Sequence, residues 1–324
     1  MFLTEDAIAQ RYEFSLHSLA DIADAYYFQG RLDDAFRLWQ TSEPLLTERE
    51  VQAVEQMRYL LRYGDFLIHY YFLSNREEKR MFSVVQQARL AAEALQDTSG
   101  IATALDLTGQ TLYFHNLLTG GGDLAEARTF FQQASALREQ IGDLSALANS
   151  LFYTGMTYIF QGQAETAREY YQRTLALAEE HGNTWAASEA NRHLADVSMS
   201  NDRDYEQALH YALRSLALRE EIKFKRAFPS AQLLVSDVYV ERGDFELALA
   251  YCQQAEQLAQ EMNQQTSLVN ALMTRGEIAS RQGQLVEARS HLEKAAALAR
   301  ELNIAFSIAQ ADEKLAQLAH KQPG

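Results

Sequence analysis

Between Asn149 and Gly182 the apolar positions recur three and four apart, through Phe152, Met156 and Ile159 and then through Ala164, Ala167, Tyr171, Leu175 and Ala178. That is the period of two amphipathic helices, Asn149 to Gln161 and Ala164 to His181, broken at Gly162-Gln163. The pattern predicts a helical hairpin. Gly162 supplies the turn, and Gly182 supplies the left-handed residue that ends the second helix, a conformation that penalises a side chain. Small residues at Gly155 and Ala167, with rings at Tyr158 and Tyr171, predict a close helix crossing whose gaps are filled by aromatics.

Most of the chain is a variation on this hairpin. The turn signature Gly-(Asp/Gln)-x-x-x-Ala occurs at Gly122–Ala127, Gly162–Ala167, Gly243–Ala248 and Gly283–Ala288, with Arg203–Ala208 as a copy lacking glycine, at spacings of 40, 41, 40 and 40 residues. Leu137, Leu177, Leu218, Leu258 and Leu298, each opening a helix end, repeat the same interval. Two independent registers that agree define an internal repeat. The residues that close those helices are Gly142, Gly182, Lys223, Asn263 and Asn303, four of them the Gly or Asn expected at such a cap. Lys223 departs, and the stretch Phe-Lys-Arg-Ala-Phe-Pro after it predicts a local irregularity.

The first hundred residues repeat less cleanly. Gly30–Ala35 carries the turn, with Tyr26 and Trp39 as packed rings and Pro44 near the end of the second helix. Thr47 and Glu50 form an expected capping box for a long helix from Val51 to Leu73, Asn75 takes a glycine's place, and a helix follows over 78–95. A third unit opens at Ile101, and its turn region, His115 to Gly122, is about six residues longer than its neighbours. Residues 304–320 match a first helix with no second, and its polar face, Gln310, Glu313, Lys314 and Gln317, is expected to face solvent as a cap.

The pattern Thr154-Gly155-x-x-Tyr158, Gly162, Ala167, Tyr171 and Thr174 resembles the tetratricopeptide repeat, in a 40-residue variety similar to Leu-Gly-Asn-repeat and kinesin light chain arrays and to those of bacterial signal-transduction ATPase regulators. The resemblance covers about Leu16 to His320. Arg203, Ala212, Cys252 and Leu292 depart from it, where glycine or a ring is expected. It implies an all-α fold: a right-handed α-solenoid of about seven antiparallel helix hairpins plus a C-terminal capping helix. The expected organisation is a single solenoid over 1–320, with repeats at 4–46, 47–97, 101–141, 146–182, 186–223, 228–263 and 266–303, the cap at 304–320 and a tail at 321–324.

In such arrays ligands lie on a concave face lined by the first helices. Transferred to this sequence, that face offers His17, Asp21, Asp24, Tyr27 and Phe28; Arg62, Asp65, Phe66, His69 and Phe72; Thr103, Asp106, Gln110, Tyr113 and Phe114; Asn149, Phe152, Tyr153, Met156 and Phe160; Glu189, Arg192, His193 and Asp196; Asp237 and Glu241; and Asn270, Thr274, Glu277 and Arg281. The residues singled out as partner-binding are His69, Asp106, Tyr113, Phe152, Tyr153, Met156, Glu189, Arg192 and Asp196. With no lysine on the face, the carboxylate clamp of co-chaperone relatives is missing, and aromatics flanked by acids favour an apolar peptide carrying Arg or Lys. Aromatics at helical spacing equally suit packing between neighbouring first helices.

Composition sharpens the class. Three prolines and 15 glycines in 324 residues belong to an almost wholly helical chain. A net charge of −15 without a basic block argues against nucleic acid as ligand. No apolar run approaches the roughly 20 residues of a membrane span, and the acidic start does not read as a signal peptide, so a cytoplasmic place is expected. The single cysteine, Cys252, reads as a buried small apolar residue. Glu189, His193 and Asp196 share one helical face at metal-ligand spacing, as do Asp65 and His69, but both lack a second cluster, an H-E-x-x-H or zinc-type cysteines, and pairing with neighbours such as Arg192 is the expected use. No catalytic fingerprint is present, no cofactor is expected, and the function indicated is a non-enzymatic adaptor holding a peptide segment of another protein. A regulatory sensor of a small peptide or metabolite is the alternative, and a metal-dependent enzyme built on Glu189, His193 and Asp196 a remote one.

Overall fold

The computed structural model describes residues 4–121, 123–302 and 304–320. The fold is an all-α solenoid of consecutive hairpins. Its helices are α1 (Glu5–Phe28), α2 (Leu32–Ser42), α3 (Ala53–Ser74), α4 (Glu78–Leu95), α5 (Thr98–Thr119), α6 (Leu124–Ile141), α7 (Leu144–Ile159), α8 (Ala164–Glu180), α9 (Thr184–Val197), α10 (Tyr205–Glu221), α11 (Phe228–Arg242), α12 (Phe245–Glu261), α13 (Gln265–Arg281), α14 (Leu285–Glu301) and α15 (Ala305–His320). Among the described residues these pair in order into seven hairpins, with α15 left single. Two compact units result, one up to Ala187 and one from Ser188. No described helix is long and apolar enough to cross a membrane.

The repeat signature works through burial and backbone geometry. The alanine that follows each turn, at 35, 127, 167, 208, 248 and 288, is wholly buried, because a larger side chain there would push the two helices of a hairpin apart. The glycine of α7, Gly155, lies against Tyr171 of α8, and a Cβ built on it would come within 2.7 Å of the ring. Gly109 meets Phe131, and Gly276 meets Leu292, at 2.6 and 2.7 Å by the same measure. Leu292 therefore does with an aliphatic side chain what a ring does in the other two crossings. Cys252 is fully buried, its thiol bonded to the carbonyl of Ala271 at 3.4 Å and pushed up to about 12 by burial, so it stays protonated.

The turns show where side chains replace glycine. Gly162, at φ +73°, has the expected left-handed geometry, and Asn75, Arg203, Lys223 and Asn263 adopt it at φ +54°, +55°, +55° and +52°. The irregularity after Lys223 is a short 3-10 turn, Lys225–Ala227, that leads into Pro229 in the first turn of α11. Gly122 and Asn303 lie outside the described residues, as does the 321–324 tail.

Four local expectations are corrected. Thr47 does not cap α3: its hydroxyl donates back to the carbonyl of Pro44 at 2.9 Å inside a 3-10 turn, Glu43–Thr47, and the helix begins at Ala53 without a side-chain cap. The third unit begins at Thr98, before Ile101, because the Asp97 carboxylate caps the helix by accepting from the Gly100 N–H at 2.7 Å. The long connection after it is mostly helix, since α5 runs on to Thr119 and Gly120 ends it in the left-handed region. On α15, Glu313 and Gln317 are exposed as expected, but Gln310 and Lys314 turn inward.

Candidate functional site

In the unit that ends at Ala187, the aromatics of the expected face are mostly packing. Phe152 and Tyr153 are 3% and 5% exposed. Phe152 meets Tyr171 and Trp185 at ring separations of 6.0 and 5.7 Å, and Tyr153 stacks on Phe131 at 5.4 Å. Tyr113 is buried between Phe114 and Phe160, while Phe160 itself is half exposed. Met156, partly buried, accepts from the Tyr171 hydroxyl at 3.4 Å. His69 is partly buried beside Tyr27 and Phe114, and its Nδ1–H donates to the backbone carbonyl of Asp65 at 2.9 Å instead of pairing with that carboxylate. Asp106 is buried in a polar network: it meets the Arg138 guanidinium at 2.5 Å and accepts from the Ser150 hydroxyl at 2.9 Å. Burial pushes its carboxyl up to about 7 against the pull of Arg138.

One group of metal-ligand type occurs among the described residues here, Glu13, His17 and Glu55, with ligand atoms within 4.8 Å of one another. Glu55 already accepts from His17 at 2.6 Å and from Arg58 at 2.6 Å, and a guanidinium on the central carboxylate suits an ion-pair network better than a cation site.

The unit that begins at Ser188 holds an open groove of about 810 Å³. Its wall comes from one face of each of α9, α11 and α13, closed by α15: Arg192 and Asp196; Leu233, Asp237 and Glu241; Asn270, Thr274, Glu277 and Arg281; and Phe306, Gln310 and Lys314. Of the ten face positions the periodicity assigns to these three repeats, all but Glu189 and His193 line it. The mouth carries Phe306, 72% exposed, and the floor carries Leu234 and Met273.

Charge in the groove is nearly all paired. Arg281 holds Glu241 and, at 2.8 Å, Glu277, and Glu277 also accepts from Lys314 at 2.9 Å. Arg192 lies 3.7 Å from Asp196 and donates to Glu189 at 3.2 Å. Glu189 is buried with Arg219, whose guanidinium donates to it at 2.6 Å. His193 is buried against the Arg192 guanidinium, and burial together with that positive charge hold it well below the usual histidine range. Glu189, His193 and Asp196 thus share their helix face with guanidinium groups that already occupy the carboxylates, the neighbour pairing expected of them.

Asp237 is different. Its Oδ1 accepts from the Thr274 hydroxyl at 2.9 Å, and burial pushes it up to about 7. Because the folded state retains the proton that the unfolded chain loses near pH 4, stability contributed at this site declines as pH rises from about 4 to 7. Asp237→Asn is therefore expected to melt a few degrees above the wild type at pH 8 and level with it near pH 4, followed by circular dichroism. Equal melting at both values would show that the carboxyl ionises freely in the fold.

Sequence reasoning missed Lys314 and Phe306, because a terminal helix without a partner reads as a solvent-facing cap. It also missed the π turn at Ser198–Asp202 on the groove edge, which ends with the Arg203 N–H bonded to the Ser198 carbonyl.

The tetratricopeptide-repeat family model matches residues 107–180 and 227–301. No curated protein matches the chain in sequence. Among solved structures, it is similar to a signal-transduction ATPase with numerous domains from Pyrococcus horikoshii that has a tetratricopeptide-repeat sensor, with 16% identity and a TM-score of 0.60, over 97% of this chain and 46% of that one. The chain thus spans about half the length of that protein. It is also similar to NprR in complex with its cognate peptide NprX, with 11% identity and a TM-score of 0.60, over 98% of this chain and 86% of that one. A Rap protein complexed with competence and sporulation factor is similar at 14% identity and a TM-score of 0.56, over 95% and 98%. At these identities the likeness is one of fold.

Proposed function

We propose, from the premise that this chain is built of tetratricopeptide repeats, that it is a non-enzymatic, cytoplasmic binding module whose groove between α9, α11, α13 and α15 takes a short peptide segment of another protein. The observation that carries the reading is the convergence of three first-helix faces on one open groove with polar walls, an apolar floor and an exposed aromatic at its mouth. Mixed walls of this kind fix an extended peptide through its backbone while apolar floor positions hold alternate side chains. A net charge of −15 disfavours nucleic acid as the occupant. NprR, which shares the fold, is bound to a cognate peptide, and that supports the same class of ligand here.

Arg192 and Asp196 are assigned to the wall, and Glu189 holds Arg192 in place. The buried Asp106, Tyr113, Phe152 and Tyr153 are assigned to packing, with Met156 and His69 at the margins of that packing.

The test is equilibrium dialysis of the full chain against a random octapeptide mixture, with retained peptides sequenced by mass spectrometry. Retention by the wild type, weakened by about 1–3 kcal/mol in Phe306→Ala, is expected. A wild type that retains nothing above a helical control protein would overturn the reading. A groove of this volume also fits a small peptide or metabolite sensed in isolation; a change in scattering radius on adding a retained octapeptide would favour that regulatory form over a static adaptor.

A further inference from the structure

We propose that Asp237 is the point at which this groove recognises a cationic group carried by the peptide, a lysine or arginine side chain or a free amino terminus. The inference rests on the peptide-binding reading and adds the chemistry of what is bound.

The geometry singles out one acid. Each of the other carboxylates along the groove has a cation beside it: Asp196 has Arg192, Glu241 has Arg281, and Glu277 has both Arg281 and Lys314. Among the described residues Asp237 has no ion pair, and the Thr274 hydroxyl donates to its Oδ1. It stands midway along the wall, between the α9 and α13 contributions, with Leu233 and Val240 beside it on α11. A carboxylate facing a groove can accept several hydrogen bonds, and an ammonium or guanidinium group is the donor that best satisfies it when partly desolvated. The apolar stem of such a side chain would lie along Leu234 and Met273, as long basic side chains do on apolar surface.

The surroundings also explain why binding would be coupled to a proton. The charged and titratable groups facing Asp237 are Asp196 on α9, Glu241 on its own helix, Cys252 on α12, Glu277 on α13 and Lys314 on α15. Among the cations of the groove, Lys314 is held by Glu277 at 2.9 Å, Arg281 by Glu241 and Glu277, and Arg192 by Glu189, while Arg203 stands at the groove edge. Burial and the acids Asp196 and Glu241 keep Asp237 protonated to about pH 7. An incoming cation removes that opposition, so Asp237 releases its proton as the cation docks. With a lysine or arginine ligand, which stays charged throughout, affinity should rise about tenfold from pH 6 to pH 8, the change in ionised fraction of a group that titrates near 7.

The experiment compares wild type and Asp237→Asn, full chain, in the octapeptide dialysis at pH 6 and pH 8, once with free and once with acetylated amino termini. Wild type is expected to enrich lysine and arginine in the retained fraction about tenfold more at pH 8 than at pH 6, and Asp237→Asn to lose the enrichment at both. Loss of the enrichment on acetylation alone would assign the cation to the amino terminus, and persistence after acetylation would assign it to a side chain. Peptides retained without a basic preference, or with the same preference in Asp237→Asn, would overturn the inference while leaving peptide binding intact. No retention by wild type would overturn both. Circular dichroism of Asp237→Asn confirms that the variant compared is folded.

Discussion

Replacing Arg219 with methionine is expected to lower stability by about 3–5 kcal/mol, read as a shift in the urea unfolding midpoint. Arg219 on α10 is 2% exposed, and its guanidinium ties three segments together: Glu189 on α9 at 2.6 Å, the Ala227 carbonyl at 3.2 Å and the Ser230 hydroxyl at 3.4 Å. Methionine matches much of its volume, so the loss comes from leaving the Glu189 carboxylate buried with Arg192 alone. Burial by itself would favour the neutral acid, yet the charges of Arg219 and Arg192 outweigh it and bring Glu189 down from 4.5 to about 2. The sign follows. A carboxyl depressed on folding stabilises fully above its unfolded value and loses that contribution as pH falls through its folded one, here between about 4.5 and about 2. The amount is about 3 kcal/mol. Glu189→Gln should flatten that acid limb, and Glu189→Leu with Arg219→Met should recover most of the loss, because a well-packed apolar pair can match a buried ion pair. If Arg219→Met unfolds within about 1 kcal/mol of wild type, the pair does not hold these segments together.

The second large effect belongs to the α7–α8 crossing. Tyr171→Ala should cost about 3–5 kcal/mol, since the ring is wholly buried and lies over Gly155. Gly155→Ala alone should cost about 1–3 kcal/mol despite alanine's better helix propensity, because its Cβ would press 2.7 Å from the ring and 3.1 Å from the Cβ of Tyr170. The two changes should not add: with the ring gone, the methyl group occupies part of the void, and the double variant should be at least about 1 kcal/mol more stable than the sum predicts. Additivity in urea unfolding would show that the helices separate locally and the glycine is not a contact residue.

How far the chain could be read beforehand follows from which interactions are periodic. Hairpins, helix-closing residues and the close crossing at Gly155 repeat every 40 residues or so, and repetition exposes them even where one copy departs, as Arg203 does when it takes a glycine's backbone angle. The groove positions on α9, α11 and α13 were legible for the same reason. What escaped is what does not repeat. Asp106 meets Arg138 and Ser150 from two other helices, so its burial depends on partners that no local pattern connects. Phe152 and Tyr153 have the spacing of a ligand-facing stripe, but Trp185 and Phe131 cover them, and helical spacing is the same for a covered face and an open one. Lys314 reads as a cap residue until Glu277 is seen opposite it.

The π turn at Ser198–Asp202 makes the groove sensitive to chain length at one point. Such a turn is a helix carrying one surplus residue, and each residue in a helix turns the chain by about 100°. Deleting one residue from this stretch would let α9 close its last turn regularly while swinging Arg203 and Tyr205, which edge the groove, to a different side. At this edge the shape of the binding surface is set by how many residues the turn contains, and insertions and deletions there would redirect what the groove admits more sharply than any substitution.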